Sequence, residues 1–124
     1  MIKYFFSIFS VIFLLVMCTS NNTDVISMEE FQSKILGDNT FVLDVRTESE
    51  YYGPLGHIEG ALLIPIDELS SRLDELAEVK NKDIYVVCRS GNRSNVGKNI
   101  LRENNFNAIN VDGGMLAWKP VDSE

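Results

Sequence analysis

Hydrophobic and polar positions divide the chain into one unbroken apolar stretch near its start and, after it, a succession of short apolar runs separated by polar turns. Residues 40–45, 61–64, 83–87 and 107–111 form compact runs with β-branched residues, which predicts buried strands; Pro65 stops the second of them. The third runs directly into Cys88. Between the runs the period changes. Ser27 and Glu30 have capping-box spacing and predict a short helix that uses Phe31 and Ile35 and ends at Gly37. Asp67 is placed to cap a helix with Leu69, Leu73 and Leu76 on one stripe. A further helix is predicted from about Arg93 to Glu103, with Val96, Ile100 and Leu101 facing inward. Gly113 and Gly114 then turn the chain into a short helix ending near Trp118.

Strands therefore alternate with helices, and each strand is apolar throughout instead of every second residue. That pattern belongs to a parallel sheet covered on both faces, an α/β fold. With 124 residues, the chain has room for one such domain and an appendage.

The appendage is the N-terminal stretch. Lys3 is followed by the apolar residues 4–17, and no charged residue appears until Asp24. The run has the length of an export-signal core and is short for a membrane span. It ends Leu15-Val16-Met17-Cys18, followed by polar residues, and resembles a bacterial lipoprotein signal in which Cys18 becomes the lipidated first residue. Met17 stands where that pattern has a small residue. The expected division is a signal peptide over 1–17, a tether over 18–24 and a domain over 25–120. The expected location is outside the cytoplasm, periplasmic or anchored to the envelope through the N-terminal segment alone. If Cys18 is lipidated, Cys88 is the one thiol left; a Cys18–Cys88 disulfide is the competing reading.

Charge narrows the chemistry. Eleven basic and 18 acidic residues give a net charge of -7, which argues against a nucleic-acid or anionic-membrane binder. Two Cys and one His cannot build a Cys/His zinc cluster. Residues 84–102 nevertheless hold Arg89, Arg93, Lys98 and Arg102 and no acid, on a chain that is otherwise strongly acidic.

That basic island surrounds Cys88-Arg89-Ser90-Gly91-Asn92-Arg93-Ser94, between a predicted strand and a predicted helix. Ligands of α/β sheets sit at the carboxyl ends of strands, where a helix N-terminus offers free N–H groups. A Cys there is expected to ionise more readily than a free thiol. Gly91 lets the loop curl so that successive N–H groups converge on an anion, and Arg89 and Arg93 add charge. A buried inert Cys beside a solvated basic helix face is the plainer alternative.

The loop resembles the rhodanese active-site loop, Cys-x-x-Gly-x-Arg-Ser/Thr. Leu43-Asp44-Val45-Arg46 with Glu50-Tyr51, Gly56-His57-Ile58-Glu59-Gly60-Ala61 with Ile64-Pro65, and Val111 to Trp118 resemble the family's other blocks, in order, over residues 24–120. Residues 52–55 lengthen the link before the Gly-His block. The resemblance implies a mostly parallel sheet of about five strands flanked by helices. It also implies sulfur transfer through a persulfide on Cys88, from a donor such as thiosulfate to cyanide or a thiol, with a protein acceptor as a further option. No metal or organic cofactor and no second subunit is implied. Arg89 is expected to contact the anionic donor, and Arg93 to fix the loop through backbone carbonyls or a carboxylate. Ser90, Gly91, Asn92 and Ser94 complete the loop. Asp44 and Arg46 read as a structural ion pair, His57 as a hydrogen-bonded turn residue, and Trp118 as packing. Two other functions fit the same residues: a persulfide carrier or sulfide sensor without turnover, and a phosphatase or arsenate reductase. The latter is disfavoured by only four residues between Cys88 and Arg93.

Overall fold

The computed structural model describes residues 23–35 and 39–120. The proposed signal, Cys18 and Gly37 lie outside the described residues. Five parallel strands form one sheet: β1 (Val25–Ser27), β2 (Thr40–Asp44), β3 (Leu62–Leu63), β4 (Asp83–Val87) and β5 (Ala108–Asp112), in the order β1-β5-β4-β2-β3. The central strands β2 and β4 pair in register from Thr40 with Asp83 to Asp44 with Val87. Both are short runs of large apolar residues, and both end at the same edge of the sheet.

Helices cover the two faces. On one lie α1 (Met28–Lys34), α2 (Glu48–Tyr51) and α5 (Gly114–Ala117), with a core of Met28, Phe31, Tyr51, Tyr85 and Met115. On the other lie α3 (Ile66–Leu69), a 3₁₀ helix (Leu73–Val79) and α4 (Asn92–Glu103), with a core that includes Leu43, Leu69, Leu76, Val86 and Leu101. Burial of apolar side chains on both faces, at ~25 cal/mol per Å² removed from water, is what holds a sheet of such short strands together.

Several elements differ from the expectations. β1 was not anticipated, because three residues are too few to show a period. Asp24, assigned to the tether, is tied into the domain: its carbonyl accepts from the Asn110 N–H at 2.8 Å and its carboxylate pairs with Lys98 at 2.8 Å. The stripe Leu69–Leu73–Leu76 does not form one helix. α3 stops after four residues and a 3₁₀ helix follows, with Pro65 and not Asp67 at the N-cap. On α4 the inward face is Ser94, Gly97, Lys98 and Leu101, while Val96 is 51% exposed. Gly97 is small where α4 crosses the sheet, and a Cβ there would press on Val86 at 3.2 Å. At α1, Ser27 accepts from the Glu30 N–H, whereas the full reciprocal box forms at α2 between Thr47 and Glu50.

Candidate active site

β4 ends at Val87, and Cys88 follows at the carboxyl edge of the sheet. The loop from Cys88 to Gly91 leads into α4, whose N-cap is Gly91 at φ +112. That conformation suits glycine, and the residue also lies against Asp112. The loop is held from the far side by α5. The N–H groups of Met115 and Leu116 donate to the carbonyls of Cys88 and Arg89 at 2.8 and 3.0 Å. This close approach requires Gly114, at φ +54, because a Cβ there would collide with both carbonyls.

Cys88 is 1% exposed, is a free thiol, and has polar groups against its sulfur. The Gly91 N–H reaches Sγ at 3.1 Å and the Ser94 hydroxyl lies 3.2 Å away. Burial, the largest influence, pushes the thiol up. The Ser94 hydroxyl and the backbone N–H groups of Ser94, Gly91 and Ser90 outweigh it and leave the thiol below its ordinary value. Ser94 in turn donates to Asn110 Oδ1 at 2.6 Å, and Asn110 Nδ2 donates to the Gly91 carbonyl at 3.3 Å. The Ser90 and Asn92 side chains face outward.

Most side chains of the basic island are partnered. Arg93 makes two 2.7 Å bonds to the Glu50 carboxylate, Lys98 pairs with Asp24, and Arg102 donates to the Ala108 carbonyl. The guanidinium of Arg89, an exposed residue of this loop, has no hydrogen-bonded or ion-paired partner among the described residues. It lines a cleft of about 330 Å³ with Arg46, Glu50, Pro54 and Leu55, so the lengthened link contributes an apolar wall at the mouth of the site.

Asp44 and Arg46 form a fully buried pair at 2.8 Å, and Arg46 also donates to the carbonyls of Glu50 and Gly56. Every buried polar side-chain atom among the described residues has a partner, which is the condition under which such a pair is tolerated. His57 stacks on Tyr51 with ring centroids 3.7 Å apart, and its Nδ1 lies 2.9 Å from the Tyr51 carbonyl oxygen; Cys88 is not among its partners. Sequence reasoning gave no separate role to Glu50 or Asn110. The capping-box spacing at Thr47 was the available signal for the first. A lone amide inside an apolar strand, costly unless partnered, was the signal for the second.

A five-stranded parallel sheet flanked by helices, with a buried, hydrogen-bonded cysteine at the start of α4, defines an α/β class of fold. The chain belongs to the rhodanese-like family: residues 27–120 match the model of the rhodanese-like domain. The crystal structure of a rhodanese-like domain protein from Staphylococcus aureus superposes with a TM-score of 0.71 at 35% identity, covering 82% of this chain and 97% of that one. YrkF of Bacillus subtilis, named as a candidate sulfur carrier protein, is 39% identical over 95 residues, 75% of this chain. The match spans 49% of YrkF, about half its length. The thiosulfate sulfurtransferase PspE of Escherichia coli is 32% identical over 73 residues, 59% of this chain and 68% of that protein.

Proposed function

We propose that the protein is a sulfurtransferase that carries sulfane sulfur on Cys88. The observation that carries this reading is the convergence of loop N–H groups and the Ser94 hydroxyl on one buried sulfur at the N-terminus of α4. The Cys88 thiolate attacks the outer sulfur of thiosulfate, the S–S bond to the sulfonate breaks, and sulfite leaves with the electron pair. Cys88 is left as a persulfide, whose terminal charge the same N–H groups can hold. A thiolate or cyanide then attacks the terminal sulfur and returns Cys88 as thiolate, which is covalent ping-pong catalysis. Arg89 binds the anionic donor, and Arg93, locked to Glu50, fixes the loop.

Intact mass after incubation with thiosulfate tests the reading. One added sulfur atom on the wild type, removed by cyanide and absent in Cys88→Ser, is expected. A Cys88→Ser protein that retains the adduct or the thiosulfate:cyanide activity overturns it. The similarity to YrkF supports a second reading, a carrier that loads but does not turn over. Multiple turnovers with a low-molecular-weight thiol separate the two. The four-residue spacing from Cys88 to Arg93 makes a ring fitted to one sulfur atom, so negligible aryl phosphatase activity is expected.

The proposed cellular setting follows from sequence: export and lipid attachment through Cys18. Fatty-acid labelling of the membrane fraction, lost in Cys18→Ala, is the expected result; an unlabelled full-length protein in the cytosol overturns it.

A further inference from the structure

We propose that Asn110 sets the protonation of Cys88 by competing with its sulfur for the single proton of the Ser94 hydroxyl. The inference rests on the reading of Cys88 as the nucleophile and makes Asn110 a positioning residue.

A hydroxyl has one proton to give and two lone pairs. Ser94 Oγ has two neighbours: Asn110 Oδ1 at 2.6 Å and Cys88 Sγ at 3.2 Å. An amide oxygen can only accept, so the proton points to Asn110 and a lone pair faces the sulfur. The amide cannot turn over to relieve this. Its Nδ2 faces the Gly91 carbonyl at 3.3 Å, and a flip would set two carbonyl oxygens against each other. The backbone cannot follow either, because Asn110 sits in β5 between β1 and β4.

A lone pair facing the sulfur suits the neutral S–H, which can donate to it. The thiolate needs the opposite arrangement. When the S–H proton leaves to solvent, Ser94 must turn its own proton to the sulfur, and Oδ1 of a side chain 5% exposed then lacks a donor. An unsatisfied buried acceptor is unfavourable, so Asn110 opposes ionisation. The Gly91 N–H donates to the sulfur at 3.1 Å and, as a donor only, can serve either state. Loading reverses the demand. In the persulfide, Sγ is a neutral bridging atom and the charge sits on the outer sulfur, so Ser94 returns its proton to Asn110. Asn110 therefore penalises the bare thiolate and spares the loaded state, which favours taking up sulfur.

The charged groups around the thiol are the Arg93–Glu50 pair from α4 and α2, the Asp44–Arg46 pair at the end of β2, Asp112 beside Gly91 at the end of β5, and Arg89 in the loop. None of them shares the Ser94 proton, so their fields stay the same when Asn110 is replaced.

The experiment is the pH dependence of iodoacetamide alkylation of the full chain. It is read at the Cys88 peptide by mass spectrometry, so that Cys18 does not contribute. Circular dichroism confirms the fold of each variant. With Asn110→Leu, Ser94 is free to donate to the thiolate. The alkylation midpoint is expected to fall by about one pH unit, a tenfold gain in thiolate below the midpoint. Asn110→Ala should move it in the same direction. Ser94→Ala, a small change that the core accommodates, should not lower the midpoint, and adding Asn110→Leu to it should produce no fall. An unchanged or raised midpoint in a folded Asn110 variant overturns the inference. So does a fall in Ser94→Ala, or a fall caused by Asn110→Leu without Ser94. These rates do not depend on sulfur transfer. A wild type that never loads sulfur, with midpoints moving as stated, overturns the proposed function and upholds the role of Asn110.

Discussion

Glu50 and Arg93 stand 43 residues apart in the chain and meet through two parallel hydrogen bonds of 2.7 Å, a carboxylate gripped by both ends of a guanidinium. Glu50 is also the acidic member of the capping box that starts α2. One side chain thus ties the first turn of α4, and with it the sulfur loop, to a helix on the opposite face of the sheet. Bidentate geometry adds direction as well as energy.

The pair gives the protein an acid-sensitive contribution to stability. Arg93 first, then the Thr47 N–H and hydroxyl, hold the Glu50 carboxyl down to about 2 from an ordinary 4.5, against an upward push from burial. A carboxyl lowered in the folded state stabilises it above its unfolded value, and that contribution is lost as pH falls from about 4.5 towards 2. Thermal melts of wild type and Glu50→Gln should therefore differ at pH 6, by on the order of 1 kcal/mol because the pair is partly exposed and screened. The gap should close as pH falls to 3 and below. A gap that is constant with pH contradicts this.

Arg89 and Arg93 should fail differently. The Arg89 guanidinium has no partner to lose, so Arg89→Gln should raise KM for thiosulfate by roughly tenfold or more, the value of a charged hydrogen bond, and leave alkylation of Cys88 by neutral iodoacetamide unchanged. Arg93→Gln strands the Glu50 carboxylate and should lower both kcat and the melting temperature. Steady-state kinetics with both reagents separate the two outcomes.

Asp44 and Arg46 are buried beyond solvent rescue. Arg46→Met leaves a carboxylate without its counter-charge, takes the Arg46 donor from the Gly56 carbonyl, leaves the Glu50 carbonyl only the Gly53 N–H, and should cost about 3–5 kcal/mol in urea unfolding. Replacing both, with Asp44→Leu added, should recover part of that loss, since no buried charge then remains unpaired.

Gly114 should be the least replaceable glycine. Gly114→Ala drives a Cβ into the carbonyls of Cys88 and Arg89 at a positive φ, and should cost at least ~2 kcal/mol while moving the sulfur loop. Gly113→Ala meets the Ala117 Cβ at 3.1 Å, a side-chain contact that can shift, and should be milder. Chemical unfolding and Cys88 alkylation rates on both variants check the order.

The strands around the site are legible in the chain, because residues 40–44 and 83–87 are apolar on both sides and can only be buried between two layers. So is the loop at Cys88, where a Cys after a strand, a Gly and a helix start leave few arrangements. Periodicity could not reveal β1, only three residues long and paired with its neighbour β5. The break between α3 and the 3₁₀ helix was likewise hidden by a continuous leucine stripe. Four cations without an acid among them, read along the chain, marked a basic island around the Cys88 loop; the fold paired Arg93 with Glu50 and Lys98 with Asp24 and left Arg89 exposed at the mouth. Asn110 was a polar residue in an apolar run until parallel register carried it beside Ser94. Apolar burial is written in local periodicity, so the chain alone discloses it. Partners for charges and protons are chosen across crossovers of tens of residues, and only the folded sheet brings them within hydrogen-bond distance.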